Sequence, residues 1–195
     1  ITIHEVLTSW DAVESGPFFD LEEFPEDILQ QAVPSDYLSI LREFGGKEGF
    51  LGQQYLRLYR WAELIPLNQA YEIHVYNPQL FLFAADGFGD AFAFVFGTET
   101  VVKIPLIPIP KDKADIIAHG FEAFLNVLAA SGPPPEVDPD GVGLELHLIQ
   151  PLCCGGDFTI PDNRVMVPPA KHAELARFWN KAYYDQLERS EGNSS

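Results

Sequence analysis

Across 195 residues, 29 Asp and Glu stand against 12 Lys and Arg for a formal net charge of −17, while 47% of the chain is apolar and 13% aromatic. That apolar content excludes a disordered chain, and the length suits one domain with a sizeable core. The acidity argues against direct binding of nucleic acid or an anionic membrane surface, both of which are gripped through Lys and Arg. No segment is apolar for long enough to span a bilayer.

The two cysteines, Cys153 and Cys154, are adjacent and offer no disulfide framework, which favours a reducing, cytoplasmic setting with buried free thiols. Opening on Ile1 rather than Met, the chain reads as trimmed, processed or incomplete; Ile1 to Trp10 lacks the basic start and long apolar centre of a signal peptide. The acids are unevenly placed. Residues 1 to 41 hold Glu5, Asp11, Glu14, Asp20, Glu22, Glu23, Glu26, Asp27 and Asp36 with no Lys or Arg. Residues 114 to 163 hold Asp115, Glu122, Glu136, Asp138, Asp140, Glu145, Asp157 and Asp162, again with no Lys or Arg. Such surfaces attract a basic protein and speed its arrival, or serve solubility alone.

Pro25 to Gln31 reads as a short helix, since Pro25 suits the first turn and Glu26 and Asp27 complement the positive end of the helix dipole. From Val33 to Gly46, Tyr37, Leu38, Leu41 and Phe44 recur at helical spacing, with Gly45 expected to end the helix in the left-handed conformation. Tyr55 to Arg60 alternates as a strand does, and Trp61 to Pro66 reads as one helical turn closed by its proline. Residues 68–78, with Glu72 and His74 among apolar neighbours, fit neither period cleanly. The chain is organised around Phe81 to Phe96, two apolar arms joined by Asp86-Gly87-Phe88-Gly89. Glycine at 87 and 89 tolerates positive φ and Asp86 can accept from following N–H groups, so an antiparallel hairpin is expected.

Thr100 to Ile104 adds a further strand, after which Pro105, Pro108 and Pro110 restrict ladder pairing to an edge. From Asp112 to Ala130, Ile116, Ile117, Phe121, Phe124, Leu125 and Leu128 follow helical spacing, and Ser131 to Pro135 ends it. A Pro/Gly/Asp loop leads to a strand at Leu144 to Ile149. Pro168-Pro169 starts a last helix, with Leu175, Phe178, Trp179, Ala182 and Leu187 expected on one buried face, and the tail from Glu191 should fray. No repeat or linker divides the chain, so one domain over residues 1–195 is expected.

Gly87-Phe88-Gly89 follows a strand, but a dinucleotide fingerprint needs a third glycine where Phe92 stands and a helix where this chain alternates. His4, His74, His119, His147 and His172 form no helical metal pair; His119 and His172 read as surface residues of helices. Cys153-Cys154 lacks the two-residue gap of zinc and redox sites. Asp138-Pro139-Asp140-Gly141 opens like a calcium loop, yet Val142 and Ile149 occupy ligand positions. There is no Gly-x-Ser-x-Gly. No catalytic, metal-binding or cofactor-binding residue is assigned, and sequence alone does not show which carboxylates converge.

In their order, three segments resemble the SUKH superfamily, the Smi/Knr-like domains. They are Val33-Pro34-Ser35-Asp36-Tyr37 through Phe44-Gly45-Gly46, Phe83 to Asp90 with its Asp-Gly-Phe-Gly-Asp turn, and Gly120-Phe121-Glu122-Ala123-Phe124-Leu125. Phe44 replaces the Asn that often precedes the glycine pair. The match spans about residues 28 to 130, roughly half of the chain, with 131–190 a family extension holding a strand and the C-terminal helix. The resemblance implies an α+β fold, a mixed or antiparallel sheet flanked by helices, that binds proteins and is not an enzyme. Bacterial relatives are typically immunity proteins that neutralise toxins, often nucleases; eukaryotic relatives are regulators. A basic toxin domain is therefore the expected partner, with Asp20, Glu22, Glu23, Glu26 and Asp27 as the densest candidate contact cluster. A regulatory or scaffolding module is the alternative. A carboxylate-based hydrolase, with Cys153, Cys154 or His147 nearby, is the third, and a concave pocket of perturbed ionisable groups would favour it.

Overall fold

The expected hairpin lies at the middle of the sheet. In the computed structural model, which describes residues 2–14, 26–135 and 141–192, β4 (Leu80–Ala85) and β5 (Asp90–Val95) pair antiparallel through the turn at 86–89. Asp86 Oδ1 accepts from the amides of Phe88 (2.8 Å) and Asp90 (3.1 Å), and Gly87 and Gly89 sit at φ 74° and 105°. Around this pair runs an antiparallel sheet of seven strands in chain order, adding β1 (Val13–Glu14), β2 (Lys47–Leu51), β3 (Gln54–Leu58), β6 (Thr100–Pro105) and β7 (Asp115–His119). The helices are α1 (Ile3–Ser9), α2 (Glu26–Ala32), α3 (Ser35–Phe44), α4 (Trp61–Ala70), α5 (Ile73–Tyr76), α6 (Phe121–Ala129) and α7 (Pro169–Gly192). A separate ribbon of β8 (Glu145–Leu148) and β9 (Arg164–Val167) carries 3₁₀ turns at Leu152–Cys154 and Pro161–Asn163. We call this ribbon and its loop the arm. The class is α+β, an antiparallel sheet with helices and a C-terminal helix, as expected. Among the described residues no helix is long and apolar enough to cross a membrane.

Aromatic residues from three parts of the chain build the core. Tyr37 of α3 packs on Phe83, Phe94 and Phe121 at ring separations of 5.3, 5.3 and 4.9 Å, and Phe83 stacks on Phe94 at 4.3 Å. Phe124 closes the cluster against Phe83 at 5.5 Å and Phe92 at 5.0 Å. Burying each such side chain contributes about 1.5–3 kcal/mol, and edge-to-face ring contacts add to that.

Several sequence expectations are corrected. The segment from Asp112 to Ala130 is not one helix: residues 115–119 pair with β6, and α6 begins only after Gly120 at φ 98°. The β-branched pair Ile116-Ile117 satisfies a strand as well as a helix, and the sheet's edge supplies the partner. The turn at Trp61 does not close at Pro66; α4 continues to Ala70. Pro66 forfeits one helical bond, but Leu64 and Leu67 beside it are fully buried, and Asn68 fastens the last turn. Its amide donates to Leu64 O (2.8 Å) and Leu82 O (2.9 Å) and accepts from Leu82 N (2.8 Å), extending the β4 ladder. Gly45 is not left-handed. It is needed because a Cβ there would lie 2.4 Å from Leu41 O, and Gly46 takes the positive φ. On α7 the buried stripe is His172, Ala173, Ala176 and Asn180, whereas Phe178 and Leu187 are exposed. Asn180 earns its burial by accepting from Ile109 N (2.7 Å) and donating to Leu106 O (2.9 Å).

Candidate functional site at the arm

Strand alternation sends Leu56 and Leu58 of β3 to one side and Tyr55, Arg57 and Tyr59 to the other. Arg57 is buried, and two carboxylates meet it. Its Nη2 and Nε donate to Glu145 Oε1 at 2.8 and 3.1 Å, its Nη1 lies 3.4 Å from Glu63 Oε1, and its guanidinium covers the Tyr59 ring at 4.8 Å. Glu145 belongs to β8, so this pair fastens the arm to the sheet. Glu48 of β2 makes a second tie, its Oε1 accepting from Tyr55 Oη (2.9 Å) and from the amide of Gly143 (2.6 Å). A backbone bond from Leu146 N to Gly87 O (2.9 Å) makes a third, at the hairpin turn.

Next to Glu145 on the same side of β8, His147 packs edge-on against His172 of α7, with ring centroids 5.4 Å apart. His172 Nδ1 is 2.8 Å from Tyr71 Oη. Burial, with His147 and Arg57 nearby, pulls His172 down to about 3, so its imidazole is neutral at pH 7. Burial also lowers His147. Burial pushes the Glu145 carboxyl up to about 7 against the pull of Arg57, and raises Glu63 likewise. The expectation of a surface histidine at position 172 is thus overturned: α7 must cover the sheet, and a neutral imidazole with a phenol partner costs little to bury.

In front of this network lies a cleft of about 140 Å³, lined among others by Phe88, Asp90, Ile107, His147, Leu152 and Phe158. Beside it a shallower groove of about 320 Å³ runs past Ile149, Asp157, Ile160 and Asp162. Five apolar side chains here stand in solvent, from Phe158 at 42% to Leu152 at 61% exposed, with Phe88, Ile149 and Ile160 between. The rim is acidic. Lys103 at its edge is bound to Asp86 (3.0 Å) and Asp90 (3.1 Å), and Arg164 lies over the Phe158 ring at 5.5 Å.

The structure separates the sequence candidates. Asp20, Glu22 and Glu23 lie outside the described residues, Glu26 opens α2, and Asp27 follows it, exposed. Of the second acid-only span, Asp157 and Asp162 reach the arm's surface, but Glu145 is buried against Arg57; Glu136, Asp138 and Asp140 lie outside the described residues. Cys153 is exposed and Cys154 half-buried, so the expectation of buried thiols fails: the turn carrying them projects from the arm. His119 closes β7 and lies 3.2 Å from Thr100 Oγ1. Among the described residues no three His, Cys, Asp or Glu side chains form a metal-ligand group. The apolar surface of the arm was missed from sequence, although Leu152, Phe158 and Ile160, apolar residues without helical or strand period in a turn-rich stretch, are its signal. No protein-family model matches the chain, and no curated protein matches it.

Proposed function

We propose that this protein is a non-enzymatic binding module of the immunity type, acting in the cytoplasm, which neutralises a basic toxin domain by covering its active face. The observation that supports this most is the group Phe88, Leu152 and Phe158, with Ile149 and Ile160 alongside, apolar and solvent-exposed within a rim of Asp90, Asp157 and Asp162. A contiguous exposed apolar patch is the usual mark of an interaction surface. Carboxylates around it select a partner rich in Lys and Arg and speed its approach. Nucleases fit that description, because they must present basic side chains to phosphate. Co-expression with the product of the adjacent gene tests the reading through growth rescue and a co-purified complex. Rescue lost on Leu152→Arg or Phe158→Arg is the expected result. Failure of the unsubstituted chain to rescue or to form a complex would overturn the immunity reading in favour of a regulatory module; rescue indifferent to both substitutions would overturn this face.

The ionisable groups behind the cleft favour a second reading, a hydrolase. His147 and His172 line the cleft, and burial raises the Glu145 carboxyl behind it. Against it, Glu145 and His172 are spent on Arg57 and Tyr71, and neither reaches solvent. A hydrolytic activity lost in His147→Gln with the circular dichroism spectrum intact would establish this reading instead.

A further inference from the structure

The wall of the cleft contains a feature that partner binding does not use. Cys153 and Cys154 form a short helical turn, their Sγ atoms 3.8 Å apart, one exposed and one half-buried. Leu152, the residue before them, lines the cleft. We propose that this adjacent thiol pair is a reversible redox modification site whose substrate is a low-molecular-weight disulfide of the glutathione class, and that closing the pair reshapes the cleft wall at Leu152.

The chemistry is two successive thiol–disulfide exchanges. One cysteine thiolate attacks glutathione disulfide, forming a mixed disulfide and releasing one glutathione thiolate. The neighbouring thiolate then attacks the protein sulfur, closing the Cys153–Cys154 bond and releasing the second glutathione. Two thiols lose two protons and two electrons, and the glutathione disulfide takes up both electrons. The second step is favoured because the attacking sulfur is held beside the first. Partial desolvation of its sulfur, on a residue exposed overall, together with the hydrogen bond to the adjacent Cys154, pushes the Cys153 thiol up to about 11, so thiolate is scarce at neutral pH and exchange quickens as pH rises.

Geometry links the bond to the cleft. Adjacent Cα atoms across a trans peptide are about 3.8 Å apart, shorter than the span of roughly 4.4–6.8 Å that unstrained disulfides adopt. Closing the ring therefore distorts the turn and leaves a bond that thiols readily reopen. On its C-terminal side the turn is braced: Gly155 sits at φ 84°, Gln150 Nε2 donates to Cys154 O at 2.7 Å, and a Cβ on Gly156 would fall 1.8 Å from Gln150 O. On the other side Pro151 O accepts from the amides of Cys154 and Gly156 (2.9 Å each) and Leu152 O from that of Gly155 (3.1 Å), so a distortion of the turn is handed directly to Pro151 and Leu152.

Incubation of the purified chain with glutathione disulfide, read by intact mass, free-thiol titration and backbone amide NMR, tests this without any partner. The expected product has lost both thiols and two hydrogen atoms, carries no glutathione, reverts with dithiothreitol, and shifts the amides of Leu152 and Phe158. Cys153→Ser and Cys154→Ser should each retain one glutathione, since no neighbour remains to displace it. A lasting glutathione adduct on the unsubstituted chain, a disulfide-linked dimer, or two unreacted thiols would overturn the proposal. Ring closure with unmoved Leu152 and Phe158 amides would overturn the coupling to the cleft. The effect on partner binding rests on the function proposed above, but the thiol exchange does not, so the two fail separately.

Discussion

Two buried regions of this molecule are held by opposite means. Around Phe83 the contacts are rings on rings, non-directional and proportional to the area removed from water. Behind the cleft, where the arm meets β3 and α7 meets Tyr71 at the end of α4, the contacts are a guanidinium, carboxylates and an imidazole–phenol pair, each with fixed directions. The first kind supplies stability and tolerates repacking; the second contributes little net stability, because desolvation offsets attraction, but fails badly when one partner is removed. The fold is thus driven by the aromatic cluster, while the ionic junction sets where the arm sits.

Phe83→Ala should show the largest loss, up to about 5 kcal/mol by urea denaturation, since the ring is fully enclosed. A loss under about 1 kcal/mol would contradict the importance given to the cluster. Arg57→Met should cost about 3–4 kcal/mol by leaving Glu145 without a countercharge, and since Glu63 keeps the Arg60 amide at 2.6 Å and the nearby Arg60 charge, adding Glu145→Leu should restore most of it. Truncating a second ring beside Phe83 should not rescue in that way, and failure of the Arg57→Met, Glu145→Leu double variant to recover would erase the contrast.

His172 sharpens the comparison through pH. Its folded pKa is about 3, below an unfolded value near 6.5, so between those limits the unfolded chain binds more protons and stability falls as the pH falls. Relative to His172→Gln, the unsubstituted protein should lose about 2 kcal/mol between pH 7 and pH 5. A gap independent of pH would mean that His172 titrates normally. Smallest for stability is the arm's surface: Leu152→Arg should stay within about 0.5 kcal/mol of the parent, yet weaken partner binding by about 2 kcal/mol or more. Added salt should slow association chiefly in its on-rate, and salt-independent association would remove the carboxylates from the steering role.

The hairpin at Asp86 to Gly89, α3, β6, β8, and the existence of α6 and α7 were legible because each is set locally, by turn chemistry or by an unambiguous period. The misread elements were those decided by distant partners. Residues 115–119 become a strand because β6 lies alongside, and α4 passes Pro66 because Asn68 finds Leu82. The junction behind the cleft joins residues 88 positions apart, beyond any local pattern. A trace of it was present, since Arg57 and Glu145 each interrupt an alternating apolar strand with an unlike charge. The acidic cluster from Asp20 to Asp27 was conspicuous in sequence, while the arm's exposed apolar side chains, without periodicity, were not.

The arm's anchorage also bears on how this chain could have been assembled or cut. Residues 131–190 look like an appendage to a self-sufficient meander, yet Glu145 supplies the closest countercharge to Arg57, and Gly143 a donor to Glu48. A fragment ending at residue 135 would keep every strand of the large sheet but leave Arg57 with Glu63 as its carboxylate and Glu48 Oε1 with the Tyr55 hydroxyl, each having lost the partner that the arm supplies. Residues 131–190 are therefore built into the junction, contributing one polar partner at each of positions 48 and 57 that a cut after residue 135 would replace with water.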